Sequence, residues 1–293
     1  MIAIGVLTVT VLYLMCNWSE RYANEIQLVR RQLTQIQSQL ISAVTRYTPS
    51  DSVPGAPAHT QAAAEACDYV KLAKQYKPDD YPIKPQFWRP MEEICRKYKN
   101  NDKFTMIEIG RGKGGSVRFW PTWFPQANYI SIDIKPFKGK LEPSIKGKVV
   151  LITASQTDNK TLMDICNNYK DIDLIIDDAS HHNTWTVQTF EMLFPCLRMG
   201  GTYIVEDIQT TWRKDLAGSC DPMNPNSMLF YFKTMIDQMQ HVDIPRKRNT
   251  WFKKHPFAES ITGMHIYRDL LMIDKAPNPS EGMHLDRGVS RGC

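Results

Sequence analysis

From residue 104 onward, short apolar runs alternate with stretches whose apolar positions recur every three or four residues. Phe104–Ile109, Ala127–Asp133, Lys148–Ile152, Ile172–Asp177 and Gly201–Glu206 have strand length and are rich in β-branched and aromatic residues. Before the fifth run, Thr184–Leu197 carries Val187, Phe190, Leu193, Phe194 and Leu197 at helical spacing. Strands that are apolar throughout, rather than alternating, suit a sheet covered on both faces. The order predicts an α/β fold with a Rossmann-like, doubly wound, mostly parallel sheet. Met264–Tyr267 and Leu270–Ile273 flank Arg268-Asp269 and read as a β-hairpin closing that sheet.

The first 68 residues follow other rules. Residues 1–18 are apolar and uncharged, close to the roughly 17–25 residues of a spanning helix, and read as a membrane anchor. A cleaved signal peptide competes, but no basic segment precedes the apolar one. In residues 19–47, Tyr22, Ile26, Val29, Leu33, Ile36 and Leu40 step by four and three. That pattern predicts a helical stalk with a coiled-coil seam, hence a homo-oligomer; a single amphipathic helix lying on the domain or the bilayer is the alternative. Residues 48–68 hold Pro49, Pro54, Gly55 and Pro57 and read as a linker. The catalytic domain is expected over 69–275, with a tail at 276–293. Anchor, stalk and linker point to a single-pass protein of the secretory pathway, in the Golgi or endoplasmic reticulum. Arg21, Arg30 and Arg31 pull the other way, since positive flanks favour the cytosolic side. Asn159-Lys160-Thr161 is a glycosylation sequon that would report the side.

The formal charge of +5 comes with no dense Lys/Arg stripe, which argues against a nucleic-acid partner. Arg246-Lys247-Arg248, with Lys253-Lys254 nearby, reads as a solvated loop. Seven cysteines without a CxxC spacing argue against a thiolate zinc site. Cys166 and Cys196 read as core thiols, whereas Cys67, Cys95 and Cys220 are available for disulfides in a luminal domain.

The chemistry gathers at predicted strand ends. Ile107-Glu108-Ile109-Gly110-Arg111-Gly112-Lys113-Gly114-Gly115-Ser116 follows the first strand and opens a helix. Its glycines admit close backbone approach, and a helix N-terminus offers free N–H groups. The spacing also satisfies GxGxxG, which does not separate a dinucleotide from S-adenosylmethionine (SAM). Asp133 ends the second strand, where a carboxylate can accept from a ribose diol. The fourth strand runs into Asp177-Asp178-Ala179-Ser180-His181-His182 and the fifth into Glu206-Asp207. Neighbouring strands lie about 4.8 Å apart, so Asp178 and Asp207 would converge if these strands pair. Two carboxylates suit a hard cation such as Mg²⁺, and His181 in the same loop suits a general base. Helix capping by Asp178 or Ser180 is the structural alternative.

The ordered set IEIGRGKGGSVRFW, WFPQANYISIDI, SQTD, DLIIDDASHH and FPCLRMGGTYIVEDIQT resembles the class I SAM-dependent methyltransferases. Within them it is most similar to the branch of macrolide-sugar O-methyltransferases and cephalosporin-hydroxylase-like proteins. The resemblance spans Glu108 to Lys275. It implies that Glu108, Gly110 and Gly112 hold SAM, that Asp133 holds the ribose, and that Gln156 and Asp158 lie near the adenine. It implies Asp178 and Asp207 as metal ligands, His181 as the base, and Ala179 as a departure where the branch carries Gly. The expected activity is O-methylation of a sugar or polyol hydroxyl, on a small-molecule or glycan acceptor, with SAM and Mg²⁺. The alternatives are a nucleotide-linked oxidoreductase, for which no Tyr/Lys or His/Arg pair is found, and a tethered SAM-binding module without turnover.

Overall fold

The chain divides into two units, Met1–His59 and Thr60–Cys293. The computed structural model describes Gln35 and residues 67, 69–76, 85–101, 103–241 and 252–278. The expected anchor, stalk and most of the linker lie outside the described residues, as does Arg246-Lys247-Arg248. Among the described residues, no helix is long and apolar enough to cross a membrane.

The second unit begins with two helices, α1 (Tyr69–Tyr76) and α2 (Pro85–Tyr98), and continues as alternating strands and helices. These are β1 (Phe104–Ile109), α3 (Ser116–Trp123), β2 (Ala127–Asp133), β3 (Val149–Thr153), α4 (Asn159–Asn168), β4 (Ile172–Asp177), α5 (Asn183–Leu193) and β5 (Leu197–Glu206). Helix α6 (Met228–Met239) and the strands β6 (Ile261–Tyr267) and β7 (Leu270–Lys275) follow. The sheet runs β3-β2-β1-β4-β5-β7-β6. β1 to β5 are parallel, and β7 pairs antiparallel with both β5 and β6, the predicted hairpin.

Alternation along each strand sends side chains to opposite faces. Met106, Leu174, Ile176 and Ile204 pack toward α2 and α3, against Met91, Ile94, Val117 and Trp120. Ile107, Ile109, Ile175 and Val205 pack toward α4, α5 and α6, against Leu162, Phe190 and Phe232. Such two-sided burial accounts for the unbroken apolar runs. Topology fixes the site as well: the chain leaves β1 outward to β2 and β3, then returns to β4 on the other flank. A crevice therefore opens at the carboxyl ends of β1 and β4, where open α/β sheets bind ligands.

Three expectations are adjusted. The helix after β4 stops at Leu193; Phe194–Cys196 is a 3-10 turn around Pro195, and β5 already begins at Leu197. The ends of the core also reach past the expected domain limits. Cys67 is buried, and Asn278 donates from Nδ2 to the carbonyls of Met239, Ala258 and Ile261. Finally, Cys166 and Cys196 are not free thiols. They form a disulfide with Cα atoms 5.4 Å apart, tying the end of α4 to the 3-10 turn. Cys67 and Cys95 form a second one, 5.6 Å between Cα atoms, tying the lead-in of α1 to α2. Both spans lie within the usual range for the bond. Cys220 is exposed and free.

Peptide mapping of the purified protein without reductant is expected to recover linked peptides Cys67–Cys95 and Cys166–Cys196. Recovery of all four as alkylated thiols would refute the pairing.

Candidate active site

A cleft of about 710 Å³ lies at the carboxyl ends of the parallel strands. Its first wall is the turn after β1. Gly110 has φ +92°, and a Cβ there would stand 2.0 Å from the carbonyl oxygen of Asp178. The glycine is therefore required by the protein's own backbone: the β1 turn lies directly on the β4 turn. Gly112 (φ 43°) and Gly114 (φ 84°) complete the reversal into α3. Asp133 holds this turn from β2. Its Oδ2 accepts from the N–H groups of Arg111 (2.9 Å) and Gly112 (3.2 Å), and its Oδ1 accepts from that of Lys135 (2.7 Å). Asp133, Gly110 and Gly112 all line the cleft.

Arg111 turns away from the cleft. Buried, it donates to the carbonyls of Ser131, Lys135 and Ile152, stitching the ends of β2 and β3. The cation inside the glycine turn is thus kept off any ligand there. Glu108 also faces inward. It is 2% exposed, and its carboxylate accepts from Ser116 Oγ (2.9 Å), Trp120 Nε1 (2.7 Å) and the Tyr129 hydroxyl. Expected as a SAM-holding residue, it fastens α3 and β2 beneath the turn instead of lining the cleft. Asp158 likewise stands outside the lining; it caps α4, accepting from the backbone N–H (3.2 Å) and hydroxyl (2.8 Å) of Thr161. Gln156 does line the cleft, with its amide engaged: Nε2 donates to Thr189 Oγ1 at 3.2 Å and Oε1 accepts from the Ser180 N–H at 3.0 Å.

The second wall is the strand-end cluster. β4 and β5 do pair, with Asp177 opposite Val205. Asp178 and Asp207 follow and converge. One ligand atom each from Asp178, His181 and Asp207 lies within 4.8 Å of the others. His181 Nε2 is 3.5 Å from Asp207 Oδ2 and 3.9 Å from Asp178 Oδ1. Among the described residues this is the one such group of three. Neither Asp178 nor Ser180 caps α5; its N-cap is His182, whose side chain makes no cap bond. The capping alternative is thereby removed. His181 (φ 55°) and Asp207 (φ 52°) both occupy the left-handed region, at a cost of about 1–2 kcal/mol each for residues with a Cβ. Strain of this kind persists only where the surroundings over-determine it. His182 stacks on Trp185, ring centroids 4.2 Å apart.

Other residues of the cleft went unread in the sequence. Ile134 and Trp185 expose apolar surface on its lining, 69% and 44% respectively. Ile134 could have been found, since it follows the acid that ends β2; Trp185 carried no signal apart from the helix it lies on. Glu206, the last residue of β5, is 4% exposed and does not line the cleft.

No family model matches the chain. Individual proteins do. The mycinamicin VI 2''-O-methyltransferase of Micromonospora griseorubida is 28% identical over 238 residues, 76% of this chain and 58% of that protein. A tetracenomycin rhamnosyl 2'-O-methyltransferase of Streptomyces olivaceus is 30% identical over 194 residues, 64% of this chain and 48% of its own. The crystal structure of the mycinamicin-pathway methyltransferase MycE with Mg and S-adenosylhomocysteine (SAH) superposes with a TM-score of 0.66 at 26% identity, over 76% of this chain and 56% of that one. The domain is similar to macrolide-sugar O-methyltransferases in sequence and in fold. Its sheet and hairpin are those of the class I methyltransferase fold. The chain spans about half the length of the curated relatives it matches.

The contact between Gly110 and Asp178 generates a prediction independent of any ligand. Gly110→Ala is expected to destabilise the domain by about 2–3 kcal/mol in chemical denaturation, because the added carbon meets backbone. Unchanged stability would mean that the two turns are not obliged to touch.

Proposed function

We propose that the domain transfers the methyl group of SAM to a hydroxyl of a sugar or polyol, with a divalent ion such as Mg²⁺ held by Asp178 and Asp207. The observation that carries this reading is the convergence of Asp178, His181 and Asp207 at one end of a cleft whose other end is the Asp133-braced glycine turn. The relatives point the same way: two are sugar O-methyltransferases, and the MycE crystal structure contains Mg and SAH.

The donor set fits the proposed groups. Two carboxylates at the ends of paired strands offer hard oxygens to a cation. A cation there would lower the pKa of a bound hydroxyl. For the cofactor, Asp133 accepts from a ribose diol, Ile134 and Trp185 present apolar faces to a planar ring, and the glycine turn leaves room for backbone approach. SAM supplies a methyl already activated on a sulfonium. The acceptor oxygen forms the new bond to that methyl carbon as the carbon–sulfur bond breaks, and the hydroxyl proton passes to His181 Nε2. The chain's task is then alignment and proton removal. His181 Nε2 also lies within range of both carboxylates, so coordination to the ion is the competing role for it. A ligand imidazole cannot take the proton, and the two roles separate in experiment.

His181→Ala is expected to cut turnover by about 10²–10⁴-fold while leaving SAM and Mg²⁺ affinities, measured by calorimetry, near those of the unaltered protein. A large loss of Mg²⁺ affinity would assign the imidazole to the ion. EDTA should inhibit the unaltered protein, and Mg²⁺ should restore it; full activity in EDTA would remove the ion from the reading.

The same reading includes the compartment. Two disulfides within one small domain favour an oxidising environment. Asn159 of the sequon is exposed in the first turn of α4. The domain is accordingly proposed to face the lumen of the secretory pathway, with residues 1–18 as anchor and 19–47 as an oligomerising stalk. Intact-mass analysis of protein from a secretory host is expected to lose one glycan when Asn159→Gln is introduced. An unglycosylated protein with four reduced thiols would reverse the assignment to the cytosolic side.

A further inference from the structure

His181 and Asp207 stand on different loops, both at left-handed positions, and one buried hydroxyl touches the backbone of each. Thr210 is 5% exposed and lies in the 3-10 turn Ile208–Trp212 that follows β5. Its Oγ1 donates to the carbonyl of His181 at 3.0 Å and to that of Asp207 at 2.8 Å. A hydroxyl has a single proton, here shared between the carbonyls of the two residues whose side chains meet in the cleft. The bond to Asp207 alone is an ordinary local turn contact. The bond to His181 is not, because it joins the loop after β4 to the loop after β5.

The surroundings hold Thr210 in place. Its N–H donates to the Asp207 carbonyl at 3.0 Å, and its own carbonyl accepts from Asn183 Nδ2 at 3.2 Å. Asn183, fully buried at the start of α5, gives its other Nδ2 proton to the Leu216 carbonyl (2.9 Å) and accepts at Oδ1 from the Met228 N–H (2.9 Å). Both loops are thus pinned to α5 and α6. The Thr210 hydroxyl is the piece of this lattice that reaches the backbone of His181 and of Asp207 together.

We infer that Thr210 is a positioning residue, whose hydroxyl holds His181 and Asp207 in the left-handed conformations that bring their side chains together beside Asp178. The inference rests on the reading of that cluster as the ion-and-base site. Valine at position 210 keeps the size and removes the donor; serine keeps the donor. Partners standing behind metal ligands typically control affinity about 10–100-fold when removed.

The test measures three quantities on the full protein for the unaltered chain, Thr210→Val and Thr210→Ser. These are calorimetric affinity for Mg²⁺ alone, affinity for SAH, and the imidazole Cε1–H resonances of His181 and His182. Thr210→Val is expected to weaken Mg²⁺ by about 10–100-fold and to shift the His181 resonance, with that of His182 and the SAH affinity unchanged. Thr210→Ser should return both to their starting values. Should the valine variant not fold, Thr210→Ala takes its place against serine. A folded variant lacking the hydroxyl but keeping the original Mg²⁺ affinity and His181 resonance would overturn the inference, as would parallel loss of SAH binding, which marks a general structural role. If the unaltered protein binds no Mg²⁺, the ion reading itself fails, and the His181 resonance alone decides whether Thr210 positions the imidazole.

Discussion

The architecture of the cleft depends on a contact with no side chain in it. Gly110 lies so close to the Asp178 carbonyl that a single added carbon would overlap it. That closeness joins the two halves of the crevice. One side of the contact is the turn that Asp133 braces with three N–H bonds; the other is the turn that carries Asp178 and His181. In the proposed reaction a donor on the first must meet an acceptor on the second. The geometry of transfer is then set by backbone packing between the turns that follow β1 and β4. Positioning built on strands is better defined than positioning built on loops.

The same strand ends divide their acids by depth. In each of the pairs Asp177-Asp178 and Glu206-Asp207 the first residue is buried within the sheet layer and the second reaches the cleft or the cluster. Asp177 is 2% exposed, and burial pushes its carboxyl up to about 7. Its proton is held more tightly in the folded chain than in the unfolded one. Its contribution to stability therefore falls as pH rises from about 4 toward 7 and is constant beyond. An apolar residue there would not carry that cost.

Much of this was legible because strand ends are written in the sequence as breaks in apolar runs. The five parallel strands, the hairpin, and the meeting of Asp178, His181 and Asp207 all follow from such breaks together with the rule that ligands gather at carboxyl ends. Side-chain direction was not legible. Glu108 and Asp158 stand beside the glycine turn and the SQTD stretch in sequence, yet one points into the core and the other caps a helix. Gly110 was readable as a close-approach glycine, but the approaching partner is the next strand's turn. Cys166 and Cys196 sit at positions suited to core thiols, and nothing in their spacing records that α4 and the turn before β5 bring them within bonding reach. Thr210 carried no pattern at all: its role comes from one long-range bond to a carbonyl.

Strain marks which half of the cleft is held under tension. Asp133 and Asp178 extend their strands without left-handed residues, and the turn that does reverse sharply between them uses glycines. His181 and Asp207 make the same kind of turn with a Cβ in place, and the fold answers with buried hydrogen bonds from Thr210 and Asn183. Glycine would remove the strain at either position, but it would also remove the imidazole or the carboxylate that the cluster uses. The cofactor side of the crevice is therefore cheap to form and the cluster side is not. Sequence changes in the β5–α6 loop that loosen those bonds should register first at His181 and Asp207, and only later, through the Gly110 contact, at the turn that Asp133 holds.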